Sequence, residues 1–469
     1  MAAQLVRHGI DDFLLIERAN EVGGTWRDNT YPGAACDIRS DLYSFSFYPK
    51  PDWTTHYAAQ PEILEYLRSV ARHFDLYPRM LLDAELTSAS WDDDESLWRI
   101  ETSRESLTAS ILVSGAGPLI DPKWPNIAGL ESFAGPRFHS ARWNHDIDLA
   151  GKSVGVIGTG ASAIQFVPEL QKVARHLTVF QRSAPWILPR PDAQTSTLRR
   201  TLFASIPLFQ RISRRTIFLR NEAQFAGFRF PRIGRVVERI ATNFRNHAVT
   251  DPDLQKKLTP NFRLGCKRIL VSSAFYRAIG KPNVELVTEP IASIAAHSIR
   301  TADGVEHSVD VLICGTGFNA TRPPVARLIR GRDGELLADR WEPHMSALRG
   351  TTVPDFPNLF LLVGPNTALG HNSVVYIIEA QLNYVLKALR ALDRRHALVL
   401  EPTDAARIAY NKALQRSLAT AVWNTGGCTN FYLDETGTNT TLWPHRAAAF
   451  RGALSRFRAE EYSFEPKSL

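Results

Sequence analysis

The chain is poor in sulfur: its 469 residues include four cysteines and three methionines. Cys36, Cys266, Cys314 and Cys428 stand far apart and form no Cys-x-x-Cys. That spacing excludes a zinc ribbon, a thiolate-ligated cluster and a dithiol redox motif, and leaves buried free thiols as the expected state. Long apolar runs are also missing. No stretch approaches the roughly 18 consecutive apolar residues needed to cross a bilayer, and the start has no charged segment followed by an apolar one of signal-peptide type. A hydrophobic content of 44% is ordinary for a globular protein, so a soluble, cytoplasmic chain of two or three domains is expected. Nor is there an excess of acid, since the net charge is +7. The basic residues do not alternate with aromatics as a base-stacking platform would, which argues against nucleic acid; phosphate-bearing cofactors call for arginine equally well.

One further absence lies at the start. Asp12-Phe13-Leu14-Leu15-Ile16-Glu17 reads as a strand closed by an acid, and in a dinucleotide fold such an acid binds ribose about 20 residues after a Gly-rich phosphate turn. Counting back from Glu17 passes Met1 before any such turn. Ala2, Leu5 and Val6, at helical spacing, read as the rest of the helix that would follow it. The expectation is a first domain that is N-terminally truncated, the chain beginning at an internal methionine of a longer protein.

What is present begins with a second nucleotide unit. The strand-like Ser153-Val154-Gly155-Val156-Ile157 runs into Gly158-Thr159-Gly160-Ala161-Ser162-Ala163. Such a turn lets backbone amides approach a pyrophosphate and aims a helix N-terminus at its charge. The next strand-like run, Leu177 to Phe180, ends at Gln181-Arg182-Ser183, where many dinucleotide folds carry a ribose-binding acid. An arginine there suits a 2′-phosphate, which favours NADPH over NADH. Upstream stands Phe133-x-Gly135-x-x-x-His139-x-x-x-Trp143. Downstream, from about Asp192 to Pro260, lies an Arg-rich, helix-like insertion in which Phe203, Leu208, Ile212, Ile217 and Phe218 interleave with arginines. A basic amphipathic helix can lie on an anionic membrane, but a solvated face is the ordinary reading, so membrane association is not expected.

Together these motifs resemble the class B flavoprotein monooxygenases, and among them the Baeyer-Villiger monooxygenases, whose linker motif ends in Trp as at Trp143. The resemblance spans about Glu17 to Pro444. It implies an α/β fold of two Rossmann-like dinucleotide-binding domains with a helical insertion: a discontinuous FAD-binding domain, 1–150 and 310–469, and an NADPH-binding domain, 151–309, interrupted at about 192–260. It further implies FAD and NADPH as cofactors, and a small ketone or heteroatom substrate with O2. Reduced flavin and oxygen would form a C4a-peroxide whose attack beside a ketone carbonyl gives an ester or lactone. N- or S-oxygenation is the alternative within the class, and a non-catalytic fragment unable to hold FAD the alternative outside it.

By the same resemblance, Glu17, Arg18, Gly24, Thr25 and Trp26 lie along FAD, while Gly158, Gly160, Ala161, Ser162, Ala163, Arg182, Ser183 and Lys267 hold NADPH. Asp37 and Arg268 lie beside flavin and nicotinamide as the catalytic pair. A peroxyanion needs a fixed cation in dry surroundings, and a permanently charged guanidinium meets that need. Phe133, Gly135, His139 and Trp143 form the linker, with His139 structural rather than a general base. His371 and Asn372 are candidate cofactor or pocket neighbours, with helix capping as the plainer role. The segments around Trp423 and Tyr432 are expected to line or close the substrate region.

Overall fold

The computed structural model describes residues 1–466. Its best-formed layer is a five-stranded parallel sheet. In spatial order the strands are Val284–Val287, His176–Phe180, Ser153–Ile157, Val311–Cys314 and Arg137–His139. Their sequences explain their place. Ser153–Ile157, His176–Phe180 and Val311–Cys314 are near-continuous apolar runs, buried along almost their whole length, as strands covered on both faces must be. Taken from Ser153, the first four strands lie in the order third, second, first, fourth, which is the doubly wound arrangement. Phe166, Val167 and Leu170 of the Ala163–Gln171 helix pack onto one face of this sheet, with Phe275 and Ile279 in the same core.

Neighbouring strands Ser153–Ile157 and Val311–Cys314 end side by side, each at a glycine turn. Gly158 has φ of 109°, and a Cβ there would meet the Gly315 carbonyl oxygen at 2.5 Å. Glycine is required at Gly158 on both counts, because only it accepts this backbone and this approach. The two turns pack together at the switch point of the sheet, where doubly wound folds bind ligand.

Two further parallel pairs lie apart from this sheet. Leu15–Ile16 pairs with Met80–Leu81, and Leu112–Ser114 with Leu359–Leu361. No strand joins the two pairs among the described residues. This explains why the expected Asp12 to Glu17 strand shortens to Leu15–Ile16: it has one partner rather than two. Ser106–Ala109 pairs antiparallel with Leu97–Thr102 before the chain crosses to pair Leu112–Ser114 with Leu359–Leu361.

Four helices fill the insertion: Thr197–Ser205, Pro207–Arg229, Pro231–Ala248 and Pro252–Lys257. Proline at the first position starts the last three, where the missing N–H costs no hydrogen bond. Val374–Arg395 is the central helix of the C-terminal core, lined by Ile377, Tyr384, Val385 and Ala388. Ala391 and Leu392 continue its buried face into its last turns. None of the described helices is long and apolar enough to cross a membrane.

The packing of the two glycine turns sets a test. Gly158→Ala is expected to lower the unfolding free energy by about 2 to 3 kcal/mol, from the strained φ and the displaced carbonyl. Denaturant unfolding measures it, and an unchanged midpoint would show that the turns do not pack as described.

Candidate active site

Two loops from distant parts of the chain meet at an ion pair. Arg268 donates from Nε to Asp37 Oδ2 at 2.9 Å and also from Nη2 to the same oxygen. Nη1 makes no hydrogen bond among the described residues. Both side chains are about one-third exposed, at 34% and 29%. The Asp37 carboxylate raises the Arg268 pKa above its usual value against the opposing cost of burial. The guanidinium is therefore a permanent cation with one donor edge free.

Each partner is held from several sides. Asp37 ends the Tyr31 to Asp37 loop, which rests on the helix that opens the second unit. Gly33 has φ of 80°, and a Cβ there would stand 2.7 Å from the Gln165 carbonyl oxygen. The Gln165 side chain accepts from the Tyr31 hydroxyl at 3.0 Å and donates to the Ala35 carbonyl at 3.0 Å. On the other side, the Arg268 loop is clamped three ways. Leu264 N–H donates to Glu238 of the insertion at 2.9 Å, Asn430 Nδ2 donates to the Cys266 carbonyl at 3.0 Å, and Cys266 is disulfide-bonded to Cys428. This corrects the expectation of four free thiols: Cys36 and Cys314 are free and buried, but Cys266 and Cys428 are joined. Their separation of 162 residues hid the pairing, because spacing reveals only local thiol motifs.

Tyr432 completes this end. It is buried, and burial lifts its hydroxyl to about 12 while the charge of Arg268 opposes the rise. The phenol stays protonated at neutral pH. Burial and the Asp37 charge also push the Cys36 thiol up, so it is inert rather than nucleophilic.

A second cationic cluster lies at the end of His176–Phe180. Lys267 Nζ donates to Ser183 Oγ at 2.6 Å, and Thr159 Oγ1 lies 3.5 Å from the Ser183 carbonyl oxygen. Burial, then the neighbouring charge of Arg182, lowers the Lys267 pKa. Neither Lys267 nor Arg182 pairs with a carboxylate among the described residues. Two cations left together beside the Gly158 to Ala163 turn have the donor chemistry of a phosphate site.

The first-domain residues also cluster. Glu17 Oε1 accepts the Ala19 N–H at 3.0 Å and pairs with Arg27 at 3.0 Å. Arg18 faces Glu85 at 4.0 Å. Gly24 has φ of 48°, with no atom within 4 Å of a Cβ position, and opens the short Thr25–Asp28 helix. Trp26 Nε1 donates to the Tyr43 hydroxyl at 3.1 Å.

The linker residues are closely packed. Gly135 packs so closely that a Cβ would meet the Asp310 carbonyl oxygen at 2.4 Å. Phe133 is buried, and Trp143 packs on Phe138 and Phe166. His139 is fully buried; its Nδ1 accepts the Ala141 N–H at 3.1 Å and its Nε2 has no partner. His371 and Asn372 are both engaged by one buried carboxylate. Asn372 Nδ2 donates to the buried Glu222 carboxylate at 2.9 Å, and His371 Nε2 lies 3.1 Å from it. The carboxylate also accepts the Ala447 and Ala448 N–H groups. Glu222 thus ties the insertion to the turn capped by Ser373 ahead of Val374–Arg395. Neither Glu222 nor Gln165 stands in a sequence motif, because each acts through partners more than 100 residues away.

The flavin-binding monooxygenase-like family matches residues 7–215. A Baeyer-Villiger monooxygenase of Streptomyces coelicolor is 46% identical over 98% of this chain and 89% of its own length. One from Pseudomonas aeruginosa is 45% identical, over 98% and 88%. The chain belongs to the Baeyer-Villiger monooxygenases. Solved structures agree. Cyclohexanone monooxygenase from Rhodococcus sp. Phi1, bound to NADP+, matches with a TM-score of 0.89 at 27% identity, covering 99% of this chain and 97% of that one. A steroid monooxygenase bound to NADP matches at 0.88 and 29%, with the same coverage. The match establishes the two-domain dinucleotide-binding fold expected from the motifs.

The buried linker histidine of this Baeyer-Villiger monooxygenase gives a pH prediction. Burial, then the Arg142 charge, lowers His139 from 6.5 to about 4. The unfolded chain binds a proton that the folded chain refuses, so stability is full above about 6.5 and falls as pH drops toward about 4. Between pH 7 and pH 5 the residue contributes a loss of about 2 kcal/mol. Denaturant midpoints at the two pH values should differ less in His139→Gln than in the parent, and an equal difference would remove His139 from the account.

Proposed function

We propose that the chain is an FAD- and NADPH-dependent monooxygenase acting on a small-molecule ketone, and that the Asp37–Arg268 pair carries its chemistry. The observation that carries the reading is one permanent cation, held by one carboxylate, with a free donor edge where the two nucleotide units meet.

The division expected from the motifs, 1–150 and 310–469 for FAD and 151–309 for NADPH with its helical insertion at about 192–260, shifts at its edges: Arg137–His139 and Val311–Cys314 pair into the sheet of Ser153–Ile157 and so go with the NADPH unit. Within the FAD domain, Glu17, Arg18, Gly24, Thr25 and Trp26 would hold FAD with Asp37, the open space over Gly24 admitting a close approach. Gly158, Gly160, Ala161, Ser162, Ala163, Arg182, Ser183 and Lys267 would hold NADPH. The unpaired Arg182 and Lys267 charges fit a 2′-phosphate, whose binding would relieve their mutual repulsion.

When bound, NADPH supplies a hydride to FAD, and reduced FAD supplies the electrons that divide O2, so that ketone, O2, NADPH and a proton give ester or lactone, NADP+ and water. The residues supply everything else. Arg268 holds positive charge where negative charge develops on oxygen, and cannot lose it at working pH. Asp37 fixes the guanidinium plane. Tyr432 keeps its proton and closes the site with an apolar ring. Gln165, Tyr31 and Gly33 set the distance between the loop of Asp37 and the nicotinamide side. The neutral His139 takes no part in proton transfer.

Two experiments test this. Arg268→Ala, with FAD supplied, should keep NADPH-driven flavin reduction while ester formation falls by about 100-fold or more, as expected for a lost charge-stabilising donor; retained ester yield refutes the role of Arg268, and oxygenation of sulfides but not ketones in the parent refutes the reaction class. Arg182→Ala should raise KM for NADPH by about 10- to 100-fold while leaving KM for NADH nearly unchanged, and equal effects on both would count against 2′-phosphate recognition.

A further inference from the structure

The insertion helices carry a surface that none of this chemistry uses. Among the described residues, ten of the eighteen exposed large apolar side chains fall between Leu198 and Ile240. A random scatter would put only a small share in so short a segment. Pro207–Arg229 exposes Leu208, Ile212 and Leu219, and Pro231–Ala248 exposes Ile233, Val236 and Ile240. The spacing within each set follows the helical repeat, so each helix presents one apolar stripe. The two helices pack as a hairpin around the turn at Phe230, itself exposed, and Gly234 lets the Gly227 carbonyl oxygen approach within 3.1 Å of a Cβ position.

Charge on this surface is of one sign. Arg211, Arg215, Arg220, Arg229, Arg232, Arg235 and Arg239 are exposed, and none pairs with a carboxylate among the described residues. The acids of the segment are Glu222 and Glu238 alone. Both are turned to internal work, Glu222 on His371 and Asn372, and Glu238 on the Leu264 N–H. Ordinary solvated helices balance their surface charge with i to i+4 acid–base pairs; this hairpin has none to offer.

We propose that the Thr197 to Ala248 helices dock the protein peripherally on an anionic lipid surface, with Leu208, Ile212, Ile233, Val236 and Ile240 entering the interface and the unpaired arginines meeting the headgroups. Apolar stripes bordered by unpaired arginines, in helices too polar to span, are the pattern of in-plane interfacial helices. Charge complementarity selects this occupant over a second copy of the chain, whose like-charged surface would bring seven arginines against seven.

The test is co-sedimentation of the full chain with vesicles of phosphatidylcholine alone and of phosphatidylcholine with phosphatidylglycerol. Binding is expected to the anionic vesicles only and to weaken with salt. The triple variant Ile212→Ser, Ile233→Ser, Ile240→Ser should partition at least about tenfold less, since each lost apolar contact adds to the others. Because these side chains are exposed, its unfolding midpoint should match the parent's. Arg394→Gln with Arg395→Gln, basic residues elsewhere, should bind as the parent does. Absence of binding to anionic vesicles overturns the proposal, as does weakening by the Arg394 and Arg395 change with no effect of the triple, which marks general electrostatic adhesion. A parent dimer that the triple variant converts to monomer, without vesicle binding, assigns the face to a second copy and also overturns it.

Discussion

The ion pair between Asp37 and Arg268 joins residues 231 positions apart, and the rest of the structure can be understood as what brings them together and keeps them there. Partly exposed, the pair adds little to stability, about 1 kcal/mol or less. Its value is geometric. It fixes a charge that cannot be titrated away at the seam between two nucleotide units, and it leaves one edge of the guanidinium without a hydrogen-bond partner among the described residues.

Close backbone approach makes that seam possible. Gly33 rests against the Gln165 carbonyl, Gly158 against that of Gly315, and Gly135 against that of Asp310. At each contact a side chain would force the elements apart, and the error would reach the pair. The Arg268 loop is secured by chemically different ties: a hydrogen bond to Glu238, one from Asn430, and the Cys266–Cys428 bond. Because Cys266 lies two residues from Arg268, this covalent tie links the position of the cation to the C-terminal segment that also supplies Tyr432. Farther out, the Glu222 carboxylate anchors the insertion to the start of Val374–Arg395 through His371 and Asn372, and to the Ala447–Ala453 helix through the Ala447 and Ala448 N–H groups.

Local signals made much of this legible. The Gly158 to Ala163 turn could be read because glycine there answers a backbone requirement, and Arg182 could be read because its place after a strand is fixed by the fold. Lys267 and Arg268 are assigned by resemblance alone, and the structure brings Arg268 to Asp37 and Lys267 to Ser183. Other features depend on distances that no local pattern encodes. Nothing around Gln165 marks it as the support of the Tyr31 loop. Cys266 and Cys428 have no short-range spacing to betray them. The strand at Val311–Cys314 resembles any buried strand, and only its register beside Ser153–Ile157 shows which sheet it joins. His371 and Asn372 precede a helix, but nothing near them in the sequence shows that their partner is a carboxylate about 150 residues upstream.

The most direct measurement is anaerobic reduction of the FAD-supplied protein by NADPH, followed by admission of 18O2 with a ketone and mass analysis of the products. The account predicts loss of the oxidised-flavin absorbance on NADPH addition, then an ester or lactone carrying one labelled oxygen, with the second label in water. A flavin that NADPH reduces but that yields no labelled ester across a panel of ketones would contradict it.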